Sequence, residues 1–287
     1  MLCVMNGIGL EGSTHIQLAK MTGKGKILML HGFVQSDRIF SGKTGGLRKN
    51  LKKLGYELYY ANGPHVVDKS TLPGSTEQEK KTNDMLIADA KSDDLYGWWL
   101  RKTSGSNAII DYEIPQETFD YLHDYIIENG PFDGIIGFSQ GAGLAGYIVQ
   151  NIRSILNLTE EQQPDLKFFI SFSGFKLVPE QYLKPYELNI APPSLHIMGE
   201  MDAVVSEERT MQLYNEWPED KRHLLKHPGS HFIPNSKPFA MQVCNWIKIT
   251  TDEEKKQEEE EEKKVNAVES GSFQDDLMNM MDSIGKL

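Results

Sequence analysis

Phe132-Asp133-Gly134-Ile135-Ile136-Gly137-Phe138-Ser139-Gln140-Gly141 is the stretch on which the reading of the chain turns. A short apolar run ends in the pattern Gly137-x-Ser139-x-Gly141, and a Gly- and Ala-rich segment with helical character follows from Ala142 to about Ile152. Strand, sharp turn and helix are the setting in which G-x-S-x-G becomes a nucleophile elbow. A serine in such a turn takes a strained backbone conformation, and its neighbours approach too closely for side chains, so glycine is expected at both flanks. The hydroxyl then stands clear of the sheet at the start of a helix, where backbone N–H groups stabilise an oxyanion.

The same residues satisfy a second pattern. Gly141-x-Gly143-x-x-Gly146 fits the dinucleotide-binding fingerprint. That fingerprint usually sits on the first strand of its domain, whereas at least two strands precede this one. The acidic residues about 20 positions on, Glu160, Glu161 and Asp165, fall in a polar stretch instead of ending a strand. The elbow is therefore the reading carried forward. A nucleotide-binding protein using Gly141, Gly143 and Gly146 is one alternative. A non-catalytic scaffold of the same fold, binding a partner through its C-terminal helix, is another.

Upstream, Ile27-Leu28-Met29-Leu30 is a continuous apolar run, as in a strand buried on both faces of a parallel sheet. It ends in His31-Gly32-Phe33-Val34-Gln35, the place where a hydrolase of this architecture positions one oxyanion donor. The backbone N–H groups of Phe33 and Gln140 are the two candidate donors; the Gln140 side chain is incidental on this reading. His31 and His65 read as loop-bracing residues. Thr44 to Leu54 reads as a helix and Tyr56 to Tyr60 as a strand. A long irregular region follows, from about Ala61 to Ile114, and contains Tyr96-Gly97-Trp98-Trp99. Trp98 and Trp99 either wall an acyl pocket or anchor this loop on the core.

Pro115 to Asn129 is helical, with Phe119, Leu122, Tyr125 and Ile126 on its apolar face. After the elbow, Leu166 to Phe172 is another apolar run, ending in Ser173-Gly174-Phe175, with Ser173 read as lining the site. Pro193 to Met198 is a strand ending in Gly199-Glu200-Met201-Asp202, and Ser206 caps a helix running to Trp217. His223 to Lys226 is the last strand. His227-Pro228-Gly229-Ser230-His231-Phe232 follows, then a helix near Pro238 to Ile249. About six short strands separated by helices predict an α/β fold: a mostly parallel sheet with helices on both faces.

Three residues then close strands in the order Ser139, Asp202, His231, which is the α/β-hydrolase order. Serine alone is a poor nucleophile near neutral pH and needs a base; imidazole titrates in that range; a carboxylate holds its tautomer and stabilises the imidazolium. Glu200 competes with Asp202, and His227 with His231. Asp202 is favoured as the shorter acid one short turn beyond its strand, and His231 as the histidine that Pro228-Gly229 can turn back to the site.

The chain has 287 residues and a net charge of −11, of which −7 falls after Thr251, with 12 acidic against 5 basic residues there. The rest is nearly balanced, and no basic stripe with interleaved aromatics supports nucleic-acid binding. No run approaches the ~18 apolar residues of a membrane span. Two cysteines, Cys3 and Cys244, offer neither a disulfide framework nor metal-ligand spacing, and Cys244 reads as packed on a helix. A reducing, cytoplasmic setting is expected. The expected organisation is an N-terminal arm over residues 1–25, a catalytic domain over 26–251, an acidic linker over 252–272 and an amphipathic helix over 273–287. Met21 is a candidate working start. The oligomeric state is left open.

With these residues assembled, the chain resembles the fungal family of serine hydrolases and its animal relative, the ovarian-cancer-associated serine hydrolase. The segments that carry the resemblance are Leu30 to Ser36, Asn129 to Ala142, Gly199 to Val205 and His227 to Asn235. It extends over about Lys26 to Ile249. It implies an α/β-hydrolase fold, no metal and no organic cofactor, and hydrolysis of small-molecule carboxylic esters or thioesters. Its triad falls on Ser139, Asp202 and His231. The aromatic residues expected near the site, Phe33, Trp98, Trp99, Phe175 and Phe232, point to an apolar acyl group.

Overall fold

Six parallel strands carry the architecture. The computed structural model describes residues 24–68, 72, 95–100 and 112–252. The expected N-terminal arm up to Gly23 with its Met21 start, the acidic linker beyond Asp252 and the C-terminal helix lie outside the described residues, as does Cys3.

The strands are β1 (Gly25–Leu30), β2 (Tyr56–Ala61), β5 (Gly134–Phe138), β6 (Phe168–Phe172), β7 (Ser194–Gly199) and β8 (Arg222–His227), in the spatial order β2-β1-β5-β6-β7-β8. Every neighbouring pair in this sheet is parallel. A two-residue antiparallel pair, β3 (His65–Val66) with β4 (Tyr96–Gly97), forms a small second sheet.

Side chains alternate along each strand with period two, so one sequence run feeds both faces. Ile27, Met29, Ile136, Phe138, Phe168, Ile170, Phe172, Leu195 and Ile197 point to one side. They pack there against α1 (Asp37–Lys43), α2 (Gly45–Lys53) and the helical residues 237–252, here α7. Leu28, Leu30, Ile135 and Phe169 point to the other. Their partners are α3 (Gln116–Asn129), α4 (Gln140–Ile148), α5 (Ile152–Leu156) and α6 (Glu207–Tyr214). The near-continuous apolar runs of the sequence follow from this two-sided burial.

Lys26 and Asp133 fasten the amino-terminal edge. The Lys26 ammonium donates to the carbonyls of Asn129 (2.7 Å) and Gly130 (2.9 Å), where α3 leaves acceptors unpaired. Asp133 accepts the Lys26 N–H at 2.8 Å and pairs with Lys167 at 2.7 Å.

The chain leaves β1 toward β2 on one side, and later returns to lay β5 on β1's other side. That reversal makes the crevice beyond the carboxyl ends of β1 and β5 the topological switch point, where ligands bind in open α/β sheets. Ser139 and the His31–Gln35 loop both lie there. Among the described residues no helix is long and apolar enough to cross a membrane.

Candidate active site

Ser139 joins β5 to α4 in a backbone conformation with φ 52° and ψ −116°. A side-chain-bearing residue is held there only when its surroundings over-determine it. The constraint is visible on both flanks. A Cβ on Gly137 would stand 2.5 Å from the Ala142 Cα, and one on Gly141 would collide with the carbonyl oxygens of Leu30 and His31. The Ser139 N–H donates to Phe172 O at 2.9 Å, extending the β5–β6 ladder by one rung. Gly143 and Gly146 face Phe175, Leu213 and Phe169. These glycines therefore serve close packing, which argues against the dinucleotide alternative.

The loops after β7 and β8 are bonded backbone to backbone. Glu200 N–H donates to His227 O at 2.9 Å and Met201 N–H to Gly229 O at 3.0 Å. This pairing sets Asp202 beside His231. The His231 Nδ1–H donates to Asp202 Oδ2 at 2.8 Å, and His231 Nε2 lies 3.0 Å from Ser139 Oγ. With Nδ1 committed as donor, Nε2 of the neutral ring is free to accept the serine proton. The other Asp202 oxygen, Oδ1, accepts the N–H groups of Val204 and Val205, each at 2.9 Å. Burial pushes the Asp202 carboxyl up. The bond to His231, the charge of its ring and bonds from the Val205 amide and the Ser173 hydroxyl outweigh that and hold it below the usual aspartate value. The His231 ring also packs on Phe138, with centroids 4.8 Å apart.

The competitors go elsewhere. Glu200 is exposed. His227 accepts the Gly229 N–H through Nδ1 at 3.2 Å and packs on Phe232 and Phe239, so it shapes the loop. Burial lowers its pKa, against the pull of Asp202 and Glu200. Ser173, at φ 48° and buried, faces Asp202 and not a base of its own.

His31 braces its loop, as expected. Its Nε2 accepts the Gly63 N–H at 2.8 Å, which leaves Nδ1–H to donate to Gly32 O at 2.7 Å. Complete burial drives its pKa down to about 4, with the Gly32 bond acting in the opposite direction.

Phe33 lies beside the elbow in the turn after β1: a Cβ on its neighbour Gly32 would stand 3.4 Å from Ser139 Cβ. Trp98 has no exposed surface, and its indole N–H donates to His31 O at 2.8 Å, which is the anchoring role. Trp99 stacks on Tyr112 at 5.2 Å and meets Phe175 edge-on at 6.3 Å. Phe232 is 47% exposed next to His231.

The Gln140 side chain is not incidental, contrary to the sequence expectation. Its Oε1 accepts the Trp98 N–H and its Nε2 donates to Trp99 O, both at 2.9 Å. Sequence carries no signal for this, because the partners are backbone groups about 40 positions away. Among the described residues no group of three or more His, Cys, Asp or Glu side chains is placed to hold a metal ion.

Comparison with known proteins supplies the family. The family profile described as "Serine hydrolase (FSH1)" matches residues 21–243. "Family of serine hydrolases 3" of Saccharomyces cerevisiae is 55% identical over 269 residues, covering 93% of this chain and 100% of that protein. "Esterase OVCA2" of Danio rerio is 34% identical over 233 residues, covering 78% of this chain and 96% of that protein. The crystal structure of esterase PE8 superposes with a TM-score of 0.52 at 18% identity, over 79% of this chain and 93% of its own, which speaks for the fold alone. An α/β-hydrolase sheet, a profile match over most of the chain and a relative at 55% identity lead to one conclusion: this chain belongs to the FSH1 family of serine hydrolases and is a hydrolase.

Proposed function

We propose that the enzyme cleaves carboxylic esters or thioesters of an apolar acyl group, with Ser139 as nucleophile, His231 as general base and acid, and Asp202 as the residue that orients His231. The observation that carries this reading is the unbroken relay from Ser139 Oγ to His231 Nε2 (3.0 Å) and from His231 Nδ1 to Asp202 Oδ2 (2.8 Å). Ser139 Oγ attacks the acyl carbonyl as Nε2 takes its proton, and the carbonyl oxygen becomes an oxyanion between the N–H groups of Phe33 and Gln140. Collapse expels the alcohol or thiol, which receives the proton from His231. Water then attacks the acyl-enzyme, again giving its proton to Nε2, and the acid leaves as Ser139 is restored.

Phe232, 47% exposed and next to His231 in sequence, supports an apolar acyl partner, because exposed aromatic surface is matched by hydrocarbon; Trp99 and Phe175, packed edge-on and nearly buried, are proposed to back that surface. Trp98 is assigned the supporting place behind them. Residues 26–251 are proposed as one catalytic domain, and a cytoplasmic setting is consistent with the unpaired, buried Cys244.

The test is a panel of p-nitrophenyl esters and acyl thioesters from acetyl to decanoyl, hydrolysed by the wild type and Ser139→Ala. The expected result is kcat/KM rising with chain length and a loss of ~10⁴-fold or more in kcat for Ser139→Ala. Undiminished turnover by Ser139→Ala, or a kcat/KM that falls steadily from acetyl to decanoyl, contradicts the reading.

A further inference from the structure

The serine hydrolase chemistry asks only for the backbone N–H of Gln140, yet its side chain is buried and has both polar ends committed. A primary carboxamide carries a donor and an acceptor in one plane, which matches the N–H of Trp98 and the C=O of Trp99 in the bend after β4. That segment is tied to the loop carrying Phe33 at two further points. Trp98 Nε1–H donates to His31 O at 2.8 Å, and Tyr96 N–H donates to Gln35 O at 2.8 Å. Thr118 Oγ1–H adds a bond to Trp98 O at 2.6 Å. His31 and Gln35 bracket Phe33 in sequence.

Gly97 lies where the pieces meet. A Cβ on it would stand 2.8 Å from the Phe33 ring and 3.2 Å from Gln140 Oε1. The bracketed loop also holds Val34 at φ 55° while fully buried, a conformation a β-branched residue adopts only under external constraint. Residues 96–99 thus form a strut between the loop that carries Phe33 and the helix start that carries Gln140.

We propose that the Gln140 carboxamide is a positioning group: through this strut it sets the separation and aim of the Phe33 and Gln140 N–H donors, and so governs oxyanion stabilisation. This inference rests on the esterase reading above. Oxyanion donors act over about 2.7–3.1 Å, so a strut displaced by a fraction of an ångström weakens them in the transition state without altering ground-state binding of a small ester.

The test uses the full chain with active sites titrated, p-nitrophenyl acetate as substrate, and the variants Gln140→Met and Gly97→Ala. Met keeps the length of the side chain and removes both hydrogen bonds; Gly97→Ala keeps Gln140 in the chain and crowds the strut against the Phe33 ring and Gln140 Oε1. For both, kcat falls about 10–100-fold while KM stays within about threefold. The rate of fluorophosphonate labelling falls in parallel. A kcat within about twofold of wild type in folded Gln140→Met, whatever its Tm, makes the contact merely structural and overturns the proposal. Should Gln140→Met fail to fold, a wild-type kcat in Gly97→Ala overturns it equally. Ser139→Ala separates the two readings: persistent turnover in that variant defeats the esterase assignment, whereas a dead Ser139→Ala beside normal strut variants defeats only this inference.

Discussion

Asp202 divides its carboxylate between two tasks. One oxygen holds the His231 tautomer, while the other is fixed by the amides of Val204 and Val205. Because these bonds hold its pKa below the ordinary aspartate value, it faces the imidazole as an anion at neutral pH. Asp202→Asn keeps the shape and loses that anion, so a fall of ~10⁴-fold in kcat is expected from steady-state kinetics. The sequence marks Ser139 and Asp202 as candidates because each follows an apolar run that becomes a buried strand, and His231 because it follows the short last strand in the order of the motif. It does not mark the Gln140 clamp or the strained Val34, because both depend on where the 95–100 segment lands, and no local pattern encodes that contact.

Elements were legible to the extent that their own residues determine them. The four central strands stand out as apolar runs, the edge strands β2 and β8 are more polar, and α6 is announced by Ser206, whose side chain accepts the Arg209 N–H. Ser206→Ala should cost about 1 kcal/mol, readable as a shift in denaturant midpoint. What escaped was division and pairing. The expected helix over Thr44 to Leu54 is α2, preceded by a separate α1 capped by Ser36, with Thr44 at the corner donating to Phe40 O and meeting the Tyr60 hydroxyl. The elbow helix stops at Ile148 and restarts as α5 behind the Asn151 cap, short of the single run expected to Ile152. The β3–β4 pair joins segments 30 residues apart, a contact of only two residues on each side. At the elbow itself, Gly141→Ala should lower Tm and activity together, because its Cβ meets backbone carbonyls of β1 and its loop that no rotamer change can move.

At the scale of the molecule, the sheet order places the site at the crevice between β1 and β5, and two buried histidines make the whole assembly acid-sensitive. His31 has its pKa lowered to about 4 and His196 to about 3, both by burial, and at His196 the Arg222 charge adds to the effect. Both are neutral in the fold, so between about pH 6.5 and pH 4 the unfolded chain takes up the protons. The stability is complete above about pH 6.5 and is lost as pH falls through that window, by roughly 3 kcal/mol for His31 alone. Asp202, lowered from its ordinary value, adds a further loss below about pH 4. Urea midpoints at pH 7, 5.5 and 4.5 should fall in that order, and His196→Phe should flatten the slope. Whether this fold makes Ser139 its one activated nucleophile is decided by treating the folded protein with a fluorophosphonate probe and locating the adduct by mass spectrometry. A single adduct is expected, on Ser139, absent from Ser139→Ala and from protein unfolded in urea; an adduct on Ser173, or one that persists in Ser139→Ala, refutes it.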